Sequence, residues 1–101
     1  MPTSVTTCAE ALERIASDRA RLQAMGVASI SLFGSITRDS LSDASDVDVL
    51  IEFAEPVGAF EFLEVQAHLE ELLGRPVDLV TRGAIKDRMR DRILGEAVHA
   101  A

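Results

Sequence analysis

Apolar residues recur along this chain in two rhythms. From Cys8 onward, Ala11, Leu12, Ile15, Leu22 and Met25 follow the three-to-four spacing of a helix, with Arg14, Asp18, Arg19 and Arg21 as its wet side. Thr7 with Glu10 three residues later is a capping box, and Gly26 supplies a stop, so the spacing predicts one helix running to about Ala24. A short apolar run from Val27 to Phe33 then predicts a buried strand, closed by Gly34-Ser35. Ile36 to Leu41 suits a short helix opening at that turn, and Asp46 to Phe53 predicts a second strand. Glu55-Pro56-Val57-Gly58 breaks the chain before a helix over Ala59–Leu73, whose apolar side is expected to hold Phe60, Leu63, Val65, Leu69, Leu72 and Leu73. Glu61, Glu64, Glu70 and Glu71 cover the rest of it. Gly74 ends this helix, Val77 to Thr81 is a third strand, and a last helix is expected from about Ala84 to Ala97. Residues 1–4 and 99–101 are expected to be loose ends of a single domain spanning 1–101.

The resulting order is α-β-α-β-α-β-α, an α/β (α+β) fold in which helices flank a small mixed sheet. The compact link between the first two strands predicts antiparallel pairing, and the longer crossover through a helix predicts that the second and third run parallel. Alternate side chains of a strand share a face, so Asp46 and Asp48 point one way while Val47 and Val49 point the other. Asp48 stands within an apolar run, where an unpaired charge is costly. Asp78, between Val77 and Leu79, repeats the pattern on the parallel neighbour. This topology predicts that the three acids meet the Gly34-Ser35 turn at one edge of the sheet. Two carboxylates side by side repel unless a cation lies between them, and hard oxygen ligands beside a small-residue turn suit Mg²⁺ carrying a nucleoside triphosphate. The plainer alternatives are a solvated loop entering a strand for Asp46, and a solvent-facing edge residue for Asp78.

Composition narrows the classes. With no Trp or Tyr and four Phe, the core must be aliphatic. A formal net charge of −7 argues against direct nucleic-acid binding, which needs a basic face. Arg82, Lys86, Arg88, Arg90 and Arg92 are nevertheless grouped, either as a solvated helix surface or as a basic edge for a protein or for phosphate. No apolar run is long enough to span a bilayer, so no membrane association is expected. The lone Cys8 cannot form an internal disulfide and fits a reducing, cytoplasmic setting. His68 and His99 are expected to be surface residues.

Gly34-Ser35, ten residues, then Asp46-Val47-Asp48, with Asp78 as a third acid, resembles the signature of the DNA-polymerase-β-like nucleotidyltransferases. The small size, the run from Ser45 to Phe53 and the ending Arg92-Ile93-Leu94-Gly95-Glu96-Ala97-Val98 resemble the minimal nucleotidyltransferases, or MNT domains, within that superfamily. MNT domains are typically encoded beside a HEPN-domain protein as a toxin–antitoxin pair. The resemblance covers most of residues 27–98 and implies the palm-like fold of the superfamily. It also implies that Asp46 and Asp48 bind two Mg²⁺ ions, with Asp78 completing the site and accepting a proton from the attacking hydroxyl. Gly34 and Ser35 would hold the β- and γ-phosphates of ATP. Arg38 would be a triphosphate contact, with a structural ion pair to a nearby acid as its alternative. The family often has Ala-Arg-Gly-Glu where this chain reads Thr37-Arg38-Asp39-Ser40, an altered approach to the phosphates.

The implied activity is transfer of AMP from ATP to a hydroxyl, expected to be a tyrosine, of a partner HEPN ribonuclease toxin, with the chain acting as antitoxin. One alternative is a catalytically weak or inactive MNT-fold module that neutralises a toxin by binding. Another is modification of a small molecule, disfavoured because there is little chain for a substrate domain. The exposed part of the first or last helix is the expected contact with the partner.

Overall fold

The architecture comes from a computed structural model of the chain, which describes residues 4–39, 46–84 and 93–101. Its elements in order are α1 (Cys8–Ser17), α2 (Arg19–Ala24), β1 (Val27–Phe33), a 3-10 turn (Gly34–Arg38), β2 (Val47–Phe53), α3 (Ala59–Leu73), β3 (Val77–Thr81), a second 3-10 turn (Arg82–Ala84) and β4 (Val98–His99). The strands form one sheet in the order β3-β2-β1-β4. As expected, β2 runs antiparallel to β1 and parallel to β3. Most of the predicted last helix, the loop over 40–45 and Lys86, Arg88, Arg90 and Arg92 lie outside the described residues; residues 93–96 are helical.

Period-two alternation divides the sheet into two unlike faces. Ile30 and Leu32 of β1, Val47, Val49 and Ile51 of β2, and Val77 and Leu79 of β3 face the helices and join Ala11, Ile15, Leu22, Val65, Leu69 and Leu73 in the main core. On the other face Phe33, Leu50 and Val80 pack with Ile93 and Leu94 in a second, smaller cluster. The acids occupy that thinner side.

Five expectations are corrected. The first helix is broken at Asp18, whose backbone leaves helical geometry (φ −101°, ψ 7°). The Asp18 carboxylate meets His68 Nε2 of α3 at 2.6 Å, so His68 ties α3 to this break and is not a surface residue. Phe60 and Leu63 are 72% and 57% exposed, because α3 buries the stripe Val65, Leu69 and Leu73. Residues 99–101 are not loose. Val98 and His99 pair with β1, and Ile30 donates to Ala101 O at 2.9 Å while accepting from Ala100 N at 2.8 Å. The edge of β1 offers unpaired backbone groups, and the chain end satisfies them. Nor does Ser4 fray, since its hydroxyl donates to Gly74 O at 2.7 Å. Beside it the buried Arg75 donates through Nε to Val5 O at 2.5 Å. Among the described residues no helix is long and apolar enough to cross a membrane.

Candidate active site on the open face of the sheet

The site grows out of strand register. Phe33 on β1 is opposite Asp48 on β2, and Asp48 is level with Asp78 on β3, so these three form one row across three strands. Adjacent strands lie about 4.8 Å apart, and side chains in one row share a face. Val47, just inside β2, donates to Pro76 O at 2.9 Å, which fixes the entry of both acid-bearing strands together. Asp46 stands one residue before β2, exposed, and Asp78 is exposed on the edge strand. Asp48 is half-buried over the apolar floor of Phe33 and Leu50. Its carboxyl is pushed above the ordinary aspartate range first by burial, then by the negative charges of Asp78 and Asp46.

Gly34 closes the row from above. After the extended Phe33 the chain turns through Gly34 at φ +76° into the 3-10 turn. A Cβ on Gly34 would fall 2.2 Å from Asp48 Oδ2 and 3.1 Å from its Cγ. The glycine therefore serves two ends: it permits the left-handed backbone, and it lets the Asp48 carboxylate lie against the main chain. Thr37 Oγ1 donates to Gly34 O at 2.7 Å, holding the turn. Ser35, half-buried, opens the turn beside the acids. Arg38 is placed in an ion pair with Glu96 at 3.5 Å, the structural alternative expected for it. With the two side chains 56% and 31% exposed, that pair is worth little and can open at small cost.

Asp39 explains the departure from the family's glycine. It adopts φ 52°, a left-handed conformation that aspartate tolerates better than most residues, and its Oδ1 accepts from Cys8 N at 2.8 Å. The acid thus faces the start of α1 and caps it.

The donor set suits a hard divalent cation. Asp48 lies close enough to Asp46 and Asp78 to feel their charge, and its proton affinity, raised first by burial and then by those charges, is of the kind a cation would relieve. Among the described residues no three acids, histidines or cysteines are grouped as a ready-made metal cage. Mg²⁺ is commonly held by one or two carboxylates with substrate phosphates completing its shell, a number that Asp48 with Asp46 or Asp78 could supply. Thus Asp48 lies against Gly34 and feels the charges of Asp46 and Asp78, Ser35 follows Gly34 in the turn, and Arg38 is paired with Glu96.

Two residues beside the site escaped the sequence pattern. Gln66 Nε2 donates to Val77 O at 2.9 Å, and Val77 N donates to Glu70 Oε2 at 3.0 Å. Glu70 was expected on the wet side of α3. The available signal was a polar pair at i and i+4 just before the Gly74 turn into the acid-bearing strand.

Comparison with known proteins agrees with this geometry. The nucleotidyltransferase domain profile matches residues 12–99. The protein adenylyltransferase MntA of Thermococcus cleftensis is 39% identical over 74 residues, covering 73% of this chain and 75% of that protein. A solved structure described as a candidate minimal nucleotidyltransferase superposes with a TM-score of 0.80 at 27% identity, covering 95% of this chain and 98% of the other. A complex of a tri-AMPylated Shewanella oneidensis HEPN toxin with its MNT antitoxin gives a TM-score of 0.63 at 17% identity over 89% of this chain and 71% of the other, a likeness of fold alone. With its fold, its acid-bearing strands and a family match over most of its length in agreement, the chain belongs to the nucleotidyltransferase domain family.

Proposed function

We propose that the chain transfers AMP from ATP to a hydroxyl, most simply a tyrosine, of a partner HEPN-domain ribonuclease, and so acts as its antitoxin. The observation that carries this reading is the convergence of Asp46, Asp48 and Asp78 under Gly34, in a chain related to a named protein adenylyltransferase. The AMPylated toxin in the Shewanella complex supports the choice of partner and modification.

Asp46 and Asp48 would hold two Mg²⁺ ions, with Asp78 completing the site, and that metal pair would supply neutralisation of the charge developing on the attacking and leaving oxygens. Asp78, exposed on the edge strand, would take the proton of the incoming hydroxyl. Gly34 and Ser35 would receive the β- and γ-phosphates on the main chain of the turn. Arg38 would release Glu96 and turn to the triphosphate. The remaining task of the protein is positioning and electrostatics, which carry most of the catalysis in transfers at phosphorus.

A second reading, neutralisation by binding alone, is favoured by one observation, the engagement of Arg38 with Glu96. Incubation with ATP, Mg²⁺ and the HEPN-domain protein of the same genome separates the two. The expected result is a mass gain of one or more AMP groups on the partner, abolished by Asp46→Ala with Asp48→Ala. Modification that persists in this double variant rejects the assigned site. A toxin that stays unmodified yet inhibited, equally well by the double variant, establishes masking instead.

A further inference from the structure

Among the described residues β3 is an edge strand, so one side of its backbone has no neighbouring strand there. Pro76 O faces β2, where it accepts from Val47 N, and by alternation the N–H and C=O of Val77 face outward. Both outward groups are taken by one turn of α3: Glu70 accepts from Val77 N at 3.0 Å and Gln66 donates to Val77 O at 2.9 Å. The residue held in this way immediately precedes Asp78.

We infer that Gln66 and Glu70 are positioning residues for Asp78, a side-chain clamp that stands in for a missing strand and sets the edge acid level with Asp48. The inference rests on the proposed role of Asp78. A slip of one residue would send Asp78 to the helix side of the sheet and Val77 and Leu79 to the open side. Pairing with β2 resists such a slip from one side only, and the clamp acts from the other. The placement of Glu70 argues for a specific duty. It lies in the last turn of α3, which carries no basic residue, where the helix dipole disfavours a carboxylate. Its acceptor is spent on the one backbone N–H that opens the acid-bearing strand.

The test is calorimetric titration of the whole chain with Mn²⁺ in the presence of ATP, with amide exchange at Val77 followed alongside. Gln66→Leu with Glu70→Leu is expected to weaken Mn²⁺ binding on the order of tenfold, as loss of residues supporting metal ligands does. Asp78→Asn should cause a comparable loss. Glu70→Gln, which keeps an acceptor for Val77 N, should stay within about twofold of the parent, a rescue that lost packing would not produce. Gln66→Leu alone serves if the double variant does not fold, and should fall between. Parent-like Mn²⁺ affinity in the Leu variants, with affinity lost in Asp78→Asn, overturns the clamp while the site stands. Parent-like affinity in Asp78→Asn removes the role of Asp78, and the clamp with it.

Discussion

Gly34→Ala probes both halves of the geometry at the acids in one substitution. The backbone there sits at φ +76°, and an L-residue in left-handed geometry costs about 1–2 kcal/mol. The added Cβ would lie 2.2 Å from Asp48 Oδ2 and 3.1 Å from Cγ. Turning the carboxylate about its own axis does not clear the second contact, so the whole Asp48 side chain or the turn must move. Overpacking of this kind costs about 1–3 kcal/mol more. The expected total, roughly 2–5 kcal/mol, is a large share of the 5–15 kcal/mol that holds a typical domain together. Gly26→Ala is the internal control, since Gly26 has φ +92° but nothing within 4 Å of its would-be Cβ. It should show the backbone cost alone. Urea unfolding gives each value, and a double-mutant cycle with Asp48→Ala isolates the contact, because it removes Oδ2 and Cγ, the two nearest atoms, and leaves the Asp48 Cβ at 3.4 Å. A coupling of about 1–3 kcal/mol is expected. If Gly34→Ala costs the same with and without the Asp48 carboxylate, the carboxylate does not lie against the turn.

Three further outcomes follow from the same contacts. Because Asp48 is raised above its ordinary value of 3.8, the folded chain keeps a proton at pH values where the unfolded chain has released it. The metal-free protein therefore loses stability as pH rises from about that value through the raised one, and the Tm difference between parent and Asp48→Asn in EDTA should move against the parent across that window; a difference independent of pH, or moving the other way, removes the cause assigned to the shift. Asp39→Ala should cost about 1–3 kcal/mol by denaturant unfolding, since the cap on Cys8 N is lost and the left-handed strain remains. Asp39→Gly, which relieves the strain while losing the cap, should lie near the parent. On α3, Phe60→Ser and Leu63→Ser should each change stability by no more than about 0.5 kcal/mol, whereas Leu69→Ala should cost about 2–5 kcal/mol; comparable losses at all three positions would show that the exposed face of α3 is mis-assigned.

How much of this was legible depended on how local the governing contact is. The facing of Asp46 and Asp48 follows from period two, and the meeting of Asp48 with Asp78 follows from the parallel crossover, so the acidic corner could be drawn from the sequence. The break at Asp18 could not, because it is tied to His68 fifty residues away. Phe60 and Leu63 lie on an apolar arc of α3 too wide for periodicity to choose its buried part; the sheet chose Val65, Leu69 and Leu73. β4 is two residues long and has no strand signature of its own, only the open edge of β1 to pair with. Asp39 read as a lost glycine because the αL conformation and the exposed start of α1, which together make the acid useful, are both set by tertiary structure.

The division of the sheet gives these details a common cause. Among the described residues, one face carries the helices and nearly all the fully buried side chains, while the other carries the small cluster around Phe33, Leu50 and Ile93. On that second face Asp48 is half-buried and close enough to its fellow acids to feel their charge. Full burial would have neutralised Asp48, and full exposure would have screened it from Asp46 and Asp78. The stability given up on that side is made good around it: by the chain end paired to β1, by Arg75 on the amino-terminal strand of chain, and by Gln66 and Glu70 on the outer edge of β3. The first two act away from the acids and the third holds the backbone next to Asp78, so the fold is firm at its margins around the row Phe33–Asp48–Asp78.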